Sequence, residues 1–331
     1  MTGTPAVRTP PVSIAPMMEK TDRHYRYFIR RITRSTLLYT EMVSAAAIIH
    51  GDRDHLLAFD ESEHPVALQL GGDDPRELAS ALRIAEAYGY DEYNLNVGCP
   101  SDRVQNGSFG ACLMARPGRV RDLIAAMRAE TSKPVTVKHR IGIDGRESYE
   151  ELLDFVDTVS CAGPTRFTVH ARIAILSGLS PKENRTVPPL RYDDVYRLKR
   201  ERPDLQIEIN GHIETLVQVD EHLSRVDGVM IGRAAYDNPW LFADVDARYY
   251  GAESGSRSRR EVLEAMIPYI ERWRAAGWPA RNIVRHMLGL FAFQPGTRRF
   301  KQALSGREIN EDPVGVIRRA MSQVRPEVLD S

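Results

Sequence analysis

Eight short runs rich in β-branched residues recur between residues 12 and 231, and longer stretches with helical periodicity separate them. The runs are Val12 to Ala15, Leu38 to Glu41, Val66 to Leu70, Glu92 to Asn96, Val135 to His139, Phe167 to His170, Ile207 to Asn210 and Val229 to Ile231. Strands that alternate with helices pair in parallel, because each helix carries the chain back to the same end of the sheet. Eight such units in roughly 240 residues match a (β/α)8 TIM barrel in number and span. A doubly wound sheet usually opens on a glycine-rich turn, and Val12-Ser-Ile-Ala-Pro-Met-Met contains no GxGxxG. The barrel is therefore the expected α/β architecture. The intervening helices carry their own punctuation: Asp74 to Tyr88 starts on Asp74-Pro75 and stops at Gly89, and Glu147 to Cys161 is a second amphipathic stretch.

Outside residues 12–250 the pattern changes. The first eleven residues are rich in Thr and Pro without periodicity, which predicts a disordered tail. Residues 251–260, rich in Gly, Ser and Arg, read as a linker. Beyond it, helical periodicity over Val262 to Trp273, Ala280 to Phe291, Thr297 to Ala303 and Val314 to Val324 predicts a small all-helical domain, residues 261–331. No apolar run approaches the ~18 residues of a membrane span, and the N-terminus lacks a secretion signal. Cys99, Cys112 and Cys161 form no CxxC pair, so neither a disulfide framework nor a cysteine metal site is expected. A cytoplasmic, metal-free protein fits this composition.

The 45 basic and 45 acidic residues cancel over the whole chain, yet they are unevenly distributed. Ser256 to Arg325 holds 14 Lys and Arg against 6 Asp and Glu, an excess of +8 that leaves −8 on the remainder. An acidic body with a basic helical module is the pattern of a protein that meets a polyanion through one part of its surface.

In a (β/α)8 barrel the chemistry sits where strands end. Those positions hold Pro16-Met17-Met18, Glu41, Gln69, Asn96 to Cys99, Lys138, His170, Asn210-Gly211 and Gly232-Arg233. Lys138 is one of six lysines and lies inside Val135-Thr-Val-Lys-His-Arg, where alternating neighbours face the core. An ammonium there needs an electron-rich partner. Gln69 and Asn210 offer paired donors and acceptors suited to a heterocycle, and His170 can hydrogen-bond or protonate near neutral pH. Asn210-Gly211-His212 after the seventh strand and Gly232-Arg233 after the eighth suit a phosphate. Together they describe a phosphorylated planar cofactor, best matched by FMN. Cys99, between Gly98 and Pro100, is placed to act either as a thiolate nucleophile or as a thiol acid.

The runs Ala15-Pro-Met-Met, Leu68-Gln-Leu-Gly-Gly, Asn94-Leu-Asn-Val-Gly-Cys-Pro-Ser, Val137-Lys-His-Arg, Val169-His-Ala-Arg, Ile209-Asn-Gly and Gly228-Val-Met-Ile-Gly-Arg-Ala-Ala-Tyr resemble the flavin-dependent tRNA-dihydrouridine synthases. Leu176-Ser-Gly-Leu-Ser-Pro-Lys-Glu-Asn-Arg resembles the DusA subfamily in particular. The resemblance extends from about Ser13 to the last helices. It implies that Pro16, Met17, Met18, Gln69, Lys138, His170, Asn210, Gly211, His212, Gly232 and Arg233 hold FMN, that NADPH is the reductant, and that Cys99 donates a proton to uracil C5. It implies tRNA contacts by Asn96, Lys182, Arg185, Arg298 and Lys301, with D-loop uridines 20 and 20a as substrate. The expected partner is tRNA, with no DNA, no membrane and no second copy of the chain. His212 departs from the pattern, which often has a second glycine or small residue there. A small-molecule flavin reductase would share the barrel, the FMN and the cysteine, but gives no role to the +8 module. A non-catalytic tRNA-binding protein would not need Lys138 or Cys99.

Overall fold

The structure, a computed structural model, describes residues 9–101, 107–253 and 257–331. Its eight strands are β1 (Val12–Ile14), β2 (Leu38–Ser44), β3 (Val66–Gly71), β4 (Glu92–Val97), β5 (Val135–Arg140), β6 (Phe167–His170), β7 (Ile207–Asn210) and β8 (Gly228–Ile231). All pair in parallel in the order β1-β8-β7-β6-β5-β4-β3-β2. A bridge between Ser13 and Leu37 brings β1 toward β2, and the sheet becomes a nearly closed barrel. β2 runs past the expected Glu41 because a register shift between Tyr39 and Met42 lets pairing resume against Gln69. The tail expectation fails for residues 9–11. Thr9 Oγ1 donates to Gln206 at 2.7 Å and the Pro11 carbonyl accepts from the Val229 N–H at 3.0 Å, so backbone pairing and a side-chain bond hold this segment to the barrel. Residues 1–8 lie outside the described residues.

The helices between strands form where capping and periodicity agree. Pro75–Ala85 is capped by Asp74, whose carboxylate accepts from the Arg76 and Glu77 N–H groups, and it buries Leu78, Ala81, Leu82 and Ala85. A short 3-10 turn, Glu86–Tyr88, follows and ends at Gly89 with φ 82°, a left-handed stop that glycine adopts without a Cβ clash. Tyr149–Ser160 starts on a Ser148/Glu151 capping box and buries Leu152, Phe155, Val156 and Val159.

By compactness the chain groups into two units. The first comprises the N-terminal segment to Met17, Leu37–Phe59 and His64–Gly232. The second comprises Met18–Thr36, Asp60–Glu63 and Arg233–Ser331. This grouping departs from the expected boundaries at residues 250 and 260. The second unit takes in the helix Arg23–Ile29, which lies between β1 and β2 in the chain. Within that unit Tyr25 donates to the Ala235 carbonyl at 3.0 Å, Tyr27 stacks on Tyr269 at 3.7 Å, and Asp22 pairs with Arg285 and His286 at 2.7 and 3.0 Å. Nor does the expected linker reach residue 260: the helix Arg259–Ala275 starts on a Ser258/Glu261 capping box. The basic helices Thr297–Leu304 and Pro313–Met321 pack against each other, and Phe300, Leu304, Val316 and Ile317 on them are buried.

The barrel interior is polar at its lower end. Arg166 is 1% exposed; its Nη2 donates to both Glu92 oxygens at 2.7 and 2.8 Å and to the Tyr39 hydroxyl at 2.8 Å, while Nε lies 3.4 Å from Glu208. Glu208 also accepts from Ser13 and Thr168, each at 2.5 Å, and Glu92 from Tyr39 at 2.7 Å and Thr136 at 2.6 Å. Thr136 accepts in turn from Asn94 at 2.9 Å, and Asn94 accepts from Gln69 at 2.8 Å. Removing the cation strands two carboxylates in a closed interior. Arg166→Met is therefore expected to lower the unfolding free energy by about 3–5 kcal/mol, read from urea denaturation; a loss below about 1 kcal/mol would mean that water or a shifted side chain replaces the guanidinium.

Candidate active site

Six of the expected rim residues come together at the C-terminal ends of consecutive strands. Asn96 and Lys138 are register partners on β4 and β5, and His170 and Asn210 on β6 and β7; Gln69 on β3 reaches Asn96 through a side-chain bond, and Cys99 follows β4. Gln69 is held from two sides, donating to Asn94 and accepting from Asn96 Nδ2 at 2.8 Å. The opposite end of the Asn96 amide accepts from the Gly98 and Cys99 N–H groups at 3.1 and 3.0 Å. Asn96 thus folds the turn that presents Cys99, a local role beyond the RNA contact expected of it. The Cys99 carbonyl accepts from the Ala111 N–H at 2.9 Å, and its Sγ lies 3.4 Å from the Ser101 hydroxyl.

Two groups in this cluster are left for something else to satisfy. Lys138 has no hydrogen-bond or ion-pair partner among the described residues, and His170 Nδ1 is buried without one. Burial and the positive charge of Arg140 push the Lys138 ammonium down to about 8, against the pull of Glu208 and Cys99. Burial, then the charges of Arg140, Lys138, Arg172 and Arg185, hold His170 well below the usual histidine range. Both effects favour the neutral imidazole, which leaves the ring available for hydrogen bonding. A site with an unpartnered cation and an orphaned ring nitrogen suits an anionic or electron-rich planar ligand.

The turn after β7 suits a phosphate by its backbone. Gly211 has φ 132°, and a Cβ there would come within 3.1 Å of Leu190. His212 follows with φ 52°, a left-handed residue where glycine would be unstrained. Its side chain is about half exposed, 3.3 Å from Glu214, so the imidazole is directed out of the turn. At Gly232 a Cβ would meet only Ala15, at 4.0 Å, which leaves open space beside that backbone. Pro16 and Met17 end the first segment of the first unit; Met18, 53% exposed, and Arg233 belong to the second.

The expected RNA contacts are on two different surfaces. Lys182 and Arg185 are exposed on the loop between β6 and the helix Tyr192–Glu201, Lys182 just before the 3-10 turn Glu183–Arg185 and Arg185 at its end. Arg298 and Lys301 are exposed on Thr297–Leu304, whose other face buries Phe300 and Leu304. Sequence reading did not identify Arg140, Asn94 or the Arg166 cluster. The one available signal was the same as for Lys138: polar residues at inward positions of apolar strands, as Glu208 in Ile207-Glu-Ile-Asn. Among the described residues, no group of three or more His, Cys, Asp or Glu is placed to hold a metal ion.

The model of the dihydrouridine synthase family matches residues 13–323. The chain belongs to that family. Similar proteins include tRNA-dihydrouridine(20/20a) synthases from Synechocystis sp., 59% identical over 89% of this chain and 88% of the relative, and from Pseudomonas aeruginosa, 57% identical over 92% of each. A third, from Vibrio vulnificus, is 52% identical over 96% of this chain and 98% of the relative. The match covers both units, so Cys99, Lys138 and the basic helix at 297–304 all lie inside the family's extent. For this family member the left-handed His212 gives a direct test. His212→Gly should raise stability by up to about 1 kcal/mol by removing strain. His212→Val, with a β-branched side chain at positive φ, should lower it in the same urea titration.

Proposed function

We propose that the protein is a tRNA-dihydrouridine(20/20a) synthase, reducing the C5–C6 double bond of D-loop uridines 20 and 20a with FMN as resident cofactor and NADPH as reductant. The observation that carries this reading is the pairing of an unpartnered Lys138 with Cys99 at the ends of adjacent strands β5 and β4, in a chain that matches synthases of that name over nearly its whole length. The residues fit FMN. Among the described residues Lys138 and the His170 ring nitrogen lack partners, Gly211 and His212 turn at positive φ, and Gly232 leaves room for an approaching group.

In this reading Gln69, Lys138, His170 and Asn210 meet the ring and ribityl groups, together with Pro16, Met17 and Met18. Gly211, His212, Gly232 and Arg233 serve the phosphate. FMN held there and reduced by NADPH would supply the hydride for uracil C6. Lys138 contributes a fixed positive charge where electron density accumulates. Cys99 gives its proton to uracil C5, and Asn96 holds its turn so that the thiol is presented to the base. A uridine inside folded tRNA must first leave its stack, and phosphate contacts offset that cost. Lys182 and Arg185 on the first unit, and Arg298 and Lys301 on the second, supply them. We place this activity in the cytoplasm, where thiols stay reduced, in a monomer that uses neither DNA nor a membrane. Among the described residues no helix is long and apolar enough to cross a bilayer.

Two measurements test the reading. In Cys99→Ala, flavin reduction by NADPH should keep its rate, while oxidation by tRNA slows by a factor on the order of 10² to 10⁴, both phases followed by stopped-flow flavin absorbance. Normal tRNA-driven oxidation would assign the proton to another group. In Arg298→Ala and Lys301→Ala, tRNA binding should weaken and the slope of log affinity against log salt should fall in magnitude by about 1 per residue. An unchanged slope in the double variant would remove this helix from the interface.

A further inference from the structure

The loop that carries Lys182 and Arg185 is folded around one side chain. Asn184 is fully buried in an otherwise exposed segment: its Oδ1 accepts from the Ile175 N–H at 2.7 Å, and its Nδ2 donates to the carbonyls of Ile175, Leu179 and Ser180 at 2.9, 3.2 and 3.4 Å. The ends of the loop are joined by the Arg191 N–H on the Ala171 carbonyl at 2.8 Å. A Ser180/Glu183 pair caps the turn on which Lys182 sits, with the Glu183 carboxylate 2.8 Å from the Ser180 N–H. Such a loop is ordered before any RNA arrives.

Arg140, at the end of β5, joins this loop to the turn that bears Cys99. Its Nε donates to the Gly98 carbonyl at 3.0 Å, while Nη1 donates to the carbonyls of Ile173 at 2.9 Å and Asn184 at 3.0 Å. The side chain is 5% exposed, and all three acceptors are main-chain oxygens, one in the Cys99 turn and two in the 171–191 loop. Burial draws this guanidinium down to about 10, with Cys99 opposing the fall and Arg185 and Arg172 adding to it. A planar fork with fixed donors holds its acceptors at a set spacing, which a single ammonium cannot do.

We propose that Arg140 and Asn184 form a latch that fixes the Cys99 turn relative to the 171–191 loop, making both of them positioning residues for the proton donor and for Lys182 and Arg185. The latch rests on the roles given above to Cys99, Lys182 and Arg185. It makes phosphate binding and acid placement one geometric event: RNA seated on the loop has its uracil presented to a thiol at a preset distance. Displacement by about 1 Å is enough to cost on the order of 10²-fold in rate.

The test compares Asn184→Ala and Arg140→Ala in the FMN-loaded protein. Each should speed amide hydrogen exchange about tenfold at Gly98 and Cys99 as well as over residues 171–191. Each should slow flavin oxidation at saturating tRNA by 10- to 100-fold and raise the tRNA dissociation constant several-fold, with flavin reduction by NADPH as the internal reference. Methylguanidinium should restore Arg140→Ala and leave Asn184→Ala slow. Exchange confined to residues 171–191 in Asn184→Ala, or full speed at saturating tRNA in either variant, would overturn the latch. If Arg140→Ala does not fold, Arg140→Lys, which keeps the charge and loses the fork, carries the same comparison with Asn184→Ala. Cys99→Ala and the Lys182/Arg185 double alanine variant, run in parallel, separate the two layers. Normal tRNA-driven turnover in those would refute the site assignment, whereas the exchange at Gly98 and Cys99 reports the latch alone.

Discussion

Arg166, closed inside the barrel between Glu92 and Glu208, is the interaction that the architecture most depends on. Two carboxylates in a sealed interior are tolerable only with a cation and a full set of donors, and Tyr39, Thr136, Ser13 and Thr168 complete that set. Residues from β1, β2, β4, β5, β6 and β7 converge on the cluster. A one-residue slip in any of these strands would turn its member of the cluster outward and orphan a charge. The cluster therefore specifies register in a barrel whose apolar layer, Ala15, Leu37, Tyr39, Ala67 and Met230, could by itself tolerate alternatives.

The hydrogen bonds continue upward from that cluster and reach the functional end. Thr136 to Asn94, Asn94 to Gln69 and Gln69 to Asn96 is an unbroken sequence of side-chain bonds, and Asn96 ends it on the N–H groups of Gly98 and Cys99. Each amide is thereby oriented, since its oxygen and nitrogen meet partners of opposite kind. Lys138 and His170 stand apart from this order. Among the described residues at the rim, an oriented row of amides beside an unpartnered ammonium and an unpartnered buried ring nitrogen marks the place where a ligand belongs.

Zero net charge conceals a division of labour. The basic excess sits largely in the second unit, where it is displayed on short helices with one apolar face, as in Thr297–Leu304. Arg26 and Arg30 of the same unit are buried and committed to Glu63 and to backbone carbonyls, so a count of arginines overstates the cations available to RNA. Exposure, not number, separates Arg298 and Lys301 from these.

The eight strands, the helix cap at Asp74, and the rim positions of Gln69, Asn96, Cys99, Lys138, His170 and Asn210 were legible in the sequence, because strand alternation, capping and the βα order are local patterns. What the side chains at the rim do was decided by tertiary contacts. Asn96 organises a turn, His170 is pushed well below the usual histidine range by burial and then by nearby cations, and His212 takes a left-handed conformation with its ring turned outward. The helix Arg23–Ile29 sits in chain order where a barrel helix would, yet its partners at residues 235, 269, 285 and 286 lie more than 200 positions away. The Arg140 link likewise joins Gly98 to Asn184. Periodicity in a sequence reports which face of a segment is buried; it carries no information about what that face meets, and only the folded chain supplies the partner.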